Sequence, residues 1–395
     1  MKNFVFLSPN FPANYWHFCR ELKNDGFRVL GVGDCPYADL SRELKESLYE
    51  YYFVSSLENY DEVYRAVAFF AYKYGRIDWL ESNNEYWLER DARLRSDFNI
   101  ASGFKSGDME KVKYKSKMKP YYAAAGIKTA AYCLADSIET CKKFIATYGY
   151  PVIVKPDNGV GANDTHKIKD EEGLEQFFRT RLPLTYIMEE FVDAEVNSYD
   201  AIIDSRGVPI FETGNVTPMS IMDIVNNDDN SIFYIVNRPF DDVADLGRKT
   251  VKSFGVKSRF VHFEFFRLNC DQRLGKKGEV IGLEVNMRPS GGISPDMMNY
   301  ANSVDVYKIW ADMAAFDRTD LKAGERFYCA FAGRRDRKSF VYSDEKIAEK
   351  YKGNIRQVGR VADALSGAMG NRMYIATFRE KADMDAFYRD VLLEK

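Results

Sequence analysis

Apolar positions alternate with two periods along this chain, and the switches between them mark its elements. Residues 3–8 form a short apolar run. Residues 14–25 place Tyr15, Phe18, Cys19 and Leu22 at helical spacing and stop at Gly26, and residues 27–32 form a second apolar run. Residues 51–54 and 77–80 repeat the strand pattern around a helix over 58–74, whose Val63, Val67, Phe70 and Tyr74 share one face. This βαβ rhythm predicts an open parallel sheet with helices on its faces, and so an α/β fold class. Gly31 and Gly33 follow a strand without completing a dinucleotide fingerprint, so the segment reads as a substrate-side domain. The polar cluster at 81–85, ESNNE, stands at a strand's carboxyl end, where open α/β sheets bind ligands; a helix cap before residues 86–95 is the plainer meaning.

The middle of the chain changes character. Residues 108–125 predict one basic helix, KVKYKSKMK at its centre, for which a solvated face is the usual meaning. A helix over 136–148 opens on a capping box of Asp136 with Glu139. The apolar strand at 150–156, YPVIVKP, delivers Lys155 at its end, and an ammonium finishing a buried strand is costly unless it meets an anion. Gly159 and Gly161 lie in the following loop, 157–165, where backbone amides can approach phosphate oxygens. Residues 186–192, YIMEEFV, read as a further strand, and strands at 197–203 and 208–212 extend a sheet. Residues 219–230 read as a long loop near the substrate, and 242–254 as a helix. Beyond residue 292 the pattern predicts one helix over 295–313. Strands follow at 326–333, 339–342 and 372–378, with helices at 344–351 and 382–393. The basic knot RRDRK, 334–338, reads as a surface turn, with contact to an anionic substrate as the sharper alternative.

The chemistry concentrates in two strands, FVHFEFFR at 260–267 and GLEVNMRPSGG at 282–292. Period two puts Glu284, Asn286 and Arg288 on one face, and groups His262 with Glu264. Gly275 and Gly278 in the polar linker make an antiparallel hairpin, with Glu264 facing Glu284 and Asn286. Opposed carboxylates repel unless a cation lies between them, and a hard divalent ion bearing nucleotide phosphates turns that clash into a site. Arg288, one step further, suits a phosphoryl oxygen or a carboxylate. The bland alternative is an exposed hairpin with solvated charges.

Glu-x-Asn-x-Arg followed by Gly-Gly, with an upstream His-x-Glu strand, resembles the metal-binding end of the ATP-grasp superfamily, which includes biotin carboxylase, carbamoyl phosphate synthetase and many carboxylate-amine ligases. The resemblance spans roughly residues 108–312. It implies two α+β subdomains, about 126–190 and 191–312, with nucleotide between them, preceded by an α/β domain at 1–107 and followed by an α/β segment at 313–395 that packs with the core. It further implies ATP and Mg²⁺ (or Mn²⁺) as cofactors, with the metal on Glu264, Glu284 and Asn286. Lys115 and Lys155 would meet phosphate beneath the loop of Gly159 and Gly161, the register of the first lysine being open to Lys113 or Lys117. On the strand that reads adenine, Glu189 would face the amino group, Glu190 and Val192 would offer backbone contacts, and Glu195 would reach the ribose. Arg288 and Lys155 would be the catalytic groups. Met287 stands where many members have proline, and Tyr114 where an aspartate commonly precedes the lysine.

Composition narrows the partners. With 46% hydrophobic and 29% charged residues and a formal net charge of -3, the 395-residue chain lacks the basic excess of a nucleic-acid binder. No apolar run reaches membrane-spanning length, and residues 1–8 read as a buried strand rather than a signal peptide, so a cytoplasmic protein is expected. Six cysteines without metal-type spacing read as reduced thiols, and three histidines make zinc an unsuitable reading. The expected function is ATP- and Mg-dependent ligation: a small-molecule carboxylate is activated as an acyl phosphate and captured by an amine. A homo-oligomer remains open. The alternatives are a nucleotide sensor without turnover, which the glycine-poor loop favours, and a bicarbonate-using enzyme similar to biotin carboxylase.

Overall fold

Three sheets organise the chain in the computed structural model, which describes residues 1–159, 164–219, 224 and 227–395. The first is parallel, in the order β3 (Glu50–Phe53), β2 (Arg28–Gly33), β1 (Asn3–Leu7), β4 (Trp79–Glu81). β1 and β2 are buried runs and β3 is a partly exposed edge, and the expected helices Trp16–Asn24 and Tyr60–Tyr74 link the strands. The strand order reverses between β1 and β4, and the 81–85 cluster lies at that switch point.

A small antiparallel sheet follows, ordered β5 (Tyr132–Leu134), β8 (Tyr186–Glu190), β6 (Val152–Pro156), β7 (His166–Ile168). The third sheet has eight antiparallel strands: β13 (Val280–Asn286), β12 (Arg259–Leu268), β9 (Ala194–Ile203), β10 (Pro209–Thr217), β11 (Ser231–Ile235), β14 (Tyr328–Arg334), β16 (Arg372–Phe378), β15 (Ile355–Arg360). The final strands of the chain thus complete the sheet that holds the hairpin. Gly282 of β13 also donates its N–H to Lys128 O at 2.8 Å, in the segment that leads into β5.

The large apolar cluster sits where the helices Ser294–Asn302 and Val306–Phe316 pack between the first and third sheets. Phe18 lies edge-on to Tyr307 and Trp310, with ring centroids 4.7 and 5.0 Å away. Helix Asp241–Phe254 covers the third sheet so closely that only glycine fits at 247: a Cβ there would stand 2.2 Å from the Tyr199 ring.

Several sequence expectations are corrected by tertiary contacts. The single helix over 108–125 is instead two, Met109–Lys113 and Lys115–Ala124, because Tyr114 between them is extended. Its basic run is not a solvated face, since Lys113, Lys115 and Lys119 are buried. The cap of helix Ile138–Tyr148 is Ser137, whose hydroxyl accepts from the Thr140 amide, rather than Asp136. The helix over 295–313 breaks at Ser303, which holds a left-handed φ of 48°. Residues 339–342 make only an isolated bridge, Phe340 to Glu394, and no strand. The loop over 219–230 lies partly outside the described residues. Its described end meets the RRDRK knot: Arg335 Nε donates to Asp229 O at 2.7 Å, Arg337 pairs with Asp228, and Lys338 reaches Asp229 Oδ1 at 2.9 Å. Arg334 and Arg335 are buried, so the knot is a tertiary clasp rather than a surface turn.

Candidate active site

The hairpin forms as the alternation requires. In β12 and β13 His262 pairs with Asn286 and Glu264 with Glu284, a register that sets the two carboxylates directly opposite each other. A bulge after Glu264 shifts the register there, and pairing resumes at Phe265 with Gly282. β9 supplies a residue that the sequence did not single out: Asp200, fully buried, lies 2.8 Å from His262 Nδ1, while His262 Nε2 is 3.1 Å from Glu264 Oε1. Burial alone would lower the imidazole, but Asp200 and Glu264 raise it to about 9, so it is a cation at neutral pH. Burial works to raise the Glu264 carboxyl, yet the His262 hydrogen bond and the charges of His262, Arg288 and Lys155 hold it below its ordinary value. The inference is a carboxylate kept ionised by a fixed neighbour.

Facing this hairpin are the lysines. Lys115 Nζ lies 3.3 Å from Glu284 Oε1 and donates to Gly159 O at 3.2 Å, whereas Lys117 is exposed. The start of its helix is fixed by Asp157, which accepts from the Ser116 amide and hydroxyl, each at 2.7 Å. Lys155, at the end of β6, lies 2.6 Å from Glu189 Oε2. Lys119 reaches the other oxygen of Glu189, a contact that nothing in its basic helical run signalled. Burial pushes the Glu189 carboxyl up, and the two ammonium groups overcome it and take it down to about 2. Glu189 therefore stands as an anion bound by one buried and one half-buried cation, the arrangement a phosphate group would also satisfy.

The remaining candidates divide. Asn286 is buried, with its amide oxygen 3.5 Å from Arg288 Nη2. Arg288 donates to Pro289 O at 2.8 Å and lies 3.5 Å from Glu85 Oε2. Glu85 in turn holds Lys113 Nζ at 2.9 Å. Thus the loop after β4 brings an acid to the site, and Lys113 is engaged there. Glu190 points to the opposite face of β8 from Glu189, where it pairs with Arg273 and accepts from the Ala131 amide at 2.6 Å. Val192 is buried with Ala130, Leu268, Leu274 and Ile281. Glu195 is half-buried and accepts from Asn197 Nδ2 at 3.2 Å, with no contact to the lysines. Gly161 lies outside the described residues.

The donor set suits a hard divalent cation. The register sets two carboxylates, Glu264 and Glu284, and the Asn286 amide on one face, all oxygen donors; among the described residues no group of three or more His, Cys, Asp and Glu side chains is placed to hold a metal ion. Glu264 and Glu284 each have one oxygen engaged, by His262 and Lys115, and their side chains remain 24% and 19% exposed. Among the described residues no hydrogen bond engages their second oxygens, which leaves them to an incoming ion.

No family model matches the chain. It is 24% identical over 281 residues to an L-arginine-specific L-amino acid ligase of Bacillus subtilis, covering 68% of this chain and 64% of that protein. The chain therefore spans less than two thirds of the length of this curated relative. Its structure is similar over 99% of its length to 97% of an L-amino acid ligase from Bacillus licheniformis, at 14% identity and a TM-score of 0.74. It is also similar, over its whole length and 90% of the other chain, to the biotin carboxylase domain dimer of the Hydrogenobacter thermophilus 2-oxoglutarate carboxylase with MgADP and bicarbonate, at 15% identity and a TM-score of 0.70. Among the described residues no helix is long and apolar enough to cross a membrane. With its α/β topology and the full-length overlay on these structures, the chain has the ATP-grasp fold that its paired acidic strands resemble.

Proposed function

We propose that the protein is an ATP-dependent, ADP-forming ligase that activates a small-molecule carboxylate as an acyl phosphate and joins it to an amine. The observation that supports this most is the convergence of Glu264, Glu284 and Asn286 with Lys115, Lys119, Lys155 and Arg288 across one cleft. Such a cleft matches phosphoryl transfer, where the protein contributes positioning and charge neutralisation rather than a nucleophile of its own.

In this reading residues 1–107 form a substrate-side unit, 108–312 the nucleotide unit and 313–395 a buttress. Glu264, Glu284 and Asn286 would hold magnesium, which neutralises phosphate charge when bound. Lys155 and Lys119 exchange Glu189 for phosphate oxygens, and Lys115 leaves Glu284 for the same purpose. His262, fixed by Asp200, keeps Glu264 ionised and aimed. The backbone around Glu189, Glu190 and Val192 would take adenine, with Glu195 at the ribose and the loop of Gly159 and Gly161 over the phosphates. Arg288 orients the substrate carboxylate, whose oxygen attacks the γ-phosphorus while the bond to the β-phosphate oxygen breaks, giving acyl phosphate and ADP. A neutral amine then attacks the acyl carbon, phosphate leaves, and the amine's proton passes to solvent or phosphate. The amino acid ligases among the relatives put amino acids first among the compounds to be tried.

Magnesium-dependent ADP release, measured with a pool of carboxylates and amines, tests the assignment. Tight ATP binding with no ADP release on addition of any substrate overturns the ligase reading and leaves a nucleotide sensor. The likeness to a biotin carboxylase domain favours bicarbonate as a second reading, and strict dependence of ADP release on bicarbonate would establish it.

A further inference from the structure

The eight-stranded sheet parts beside β10. This strand pairs with β9 from Pro209 to Thr217 but with β11 only through Asn215 and Val216, so its first half has one neighbouring strand. A cavity of about 590 Å³ lies against that half, within the size range of small-molecule sites. None of the side chains assigned above to ATP, magnesium or the substrate carboxylate lines it. The buried Phe211, Ala244 and Ile309 supply an apolar wall. The rest of the lining is mostly charged.

Six ionised side chains line the cavity: Glu212, Asp241, Arg238, Arg248, Lys322 and Arg326. Glu212 is already matched, since Arg248 Nε and Nη2 donate to its two oxygens at 2.9 and 2.8 Å and the Tyr199 hydroxyl donates at 2.6 Å. Arg238, Lys322 and Arg326 make no side-chain hydrogen bond or ion pair among the described residues, so three cations stand against the one acid Asp241. Such an excess is local, because the whole chain carries a formal net charge of -3. Arg238 follows β11 whereas Lys322 and Arg326 precede β14, so tertiary structure gathers them around one concavity. Like charges lining a cleft with low-dielectric walls focus a field that draws in an anion. The two guanidinium forks suit the paired oxygens of a phosphate or carboxylate, and the apolar wall suits a hydrocarbon or aromatic body. We propose that this cavity is a second ligand site, separate from the nucleotide cleft, which takes a small organic dianion with an aromatic body, either a phosphate monoester or a dicarboxylate. The site stands on its own lining and does not require the ligase reading.

The test is isothermal titration calorimetry of the full chain with 1-naphthyl phosphate, phthalate, glucose 6-phosphate and neutral 1-naphthol. At least one of the two aromatic dianions should bind at one site per chain, and the tighter of them tells a phosphate ligand from a dicarboxylate. Glucose 6-phosphate keeps the charge on a polar body and 1-naphthol keeps the body without the charge; each should bind about tenfold or more weakly. Raising the salt concentration should weaken the preferred dianion, because the cations that meet it are open to solvent. Arg238→Ala, Lys322→Ala and Arg326→Ala should each weaken it at least threefold, and the triple variant should abolish it. Since these side chains hold no partner in the fold, the variants should keep the melting temperature of the natural protein. Lys155→Met, in the nucleotide cleft, should leave the affinity within twofold. Binding of neither aromatic dianion at millimolar concentration overturns the proposal, as does equal affinity for 1-naphthol. Affinity that is lost in Lys155→Met and kept in the triple variant places the molecule in the nucleotide cleft and also overturns it.

Discussion

Replacing Glu189 by glutamine separates an electrostatic role from a packing one, because the two side chains have nearly the same shape. Glu189 is 3% exposed and lies between the ammonium groups of Lys119 and Lys155. Its carboxyl falls from an ordinary 4.5 to about 2, despite the burial that opposes ionisation. That difference corresponds to about 3 kcal/mol of stability at pH 7. The sign follows from the depressed value: the contribution is complete well above pH 4.5, is down to about 2 kcal/mol near pH 3.5, and disappears below pH 2. Urea unfolding of both proteins from pH 3.5 to 7 should therefore show Glu189→Gln less stable by at least about 3 kcal/mol at neutrality, since the buried Lys119 and half-buried Lys155 ammonium groups also lose their anion. The gap should narrow in acid. Saturating Mg-ATP should narrow it too, because phosphate replaces the missing carboxylate. A variant within 1 kcal/mol of the natural protein at pH 7, or a gap that widens toward pH 3.5, would refute the reasoning.

Other outcomes follow from the same geometry. Glu284→Gln should lower magnesium-dependent ADP release by 100-fold or more, about 3 kcal/mol in the barrier, with an unchanged circular dichroism spectrum. Lys119→Met should raise the KM for ATP at least tenfold, whereas Lys117→Met, two positions away and exposed, should change it less than twofold. Gly247→Ala should destabilise by about 1–3 kcal/mol in urea, since its methyl group has no room beside the Tyr199 ring.

What the sequence revealed followed from local periodicity. Alternation in 282–292 placed Glu284, Asn286 and Arg288 on one face, and an ammonium closing an apolar strand marked Lys155; both features are written within seven or eight residues. Lys119 was hidden because a lysine's sequence neighbours do not disclose a partner 70 residues away. Glu85 was weighed only as part of a polar cluster, since its anionic role depends on Lys113 and Arg288 from later segments. The strands Ser231–Ile235 and Ile355–Arg360 were missed for a related reason: each is five or six residues long, and partners distant in sequence decide its pairing. Ser137 took the cap expected of Asp136, a one-residue choice between two good capping side chains.

The seam in the eight-stranded sheet has a consequence for biosynthesis. β11 shares two residue pairs with β10 and five with β14, so most of its ladder waits for Tyr328–Arg334, which lies far along the chain from it. A ribosome would release the nucleotide-binding residues well before that partner emerges, leaving Ser231–Ile235 as a bare edge on a nascent chain. A fragment ending at residue 327 would keep every group assigned here to ATP, magnesium and substrate, yet it would be expected to aggregate through that edge rather than remain in solution.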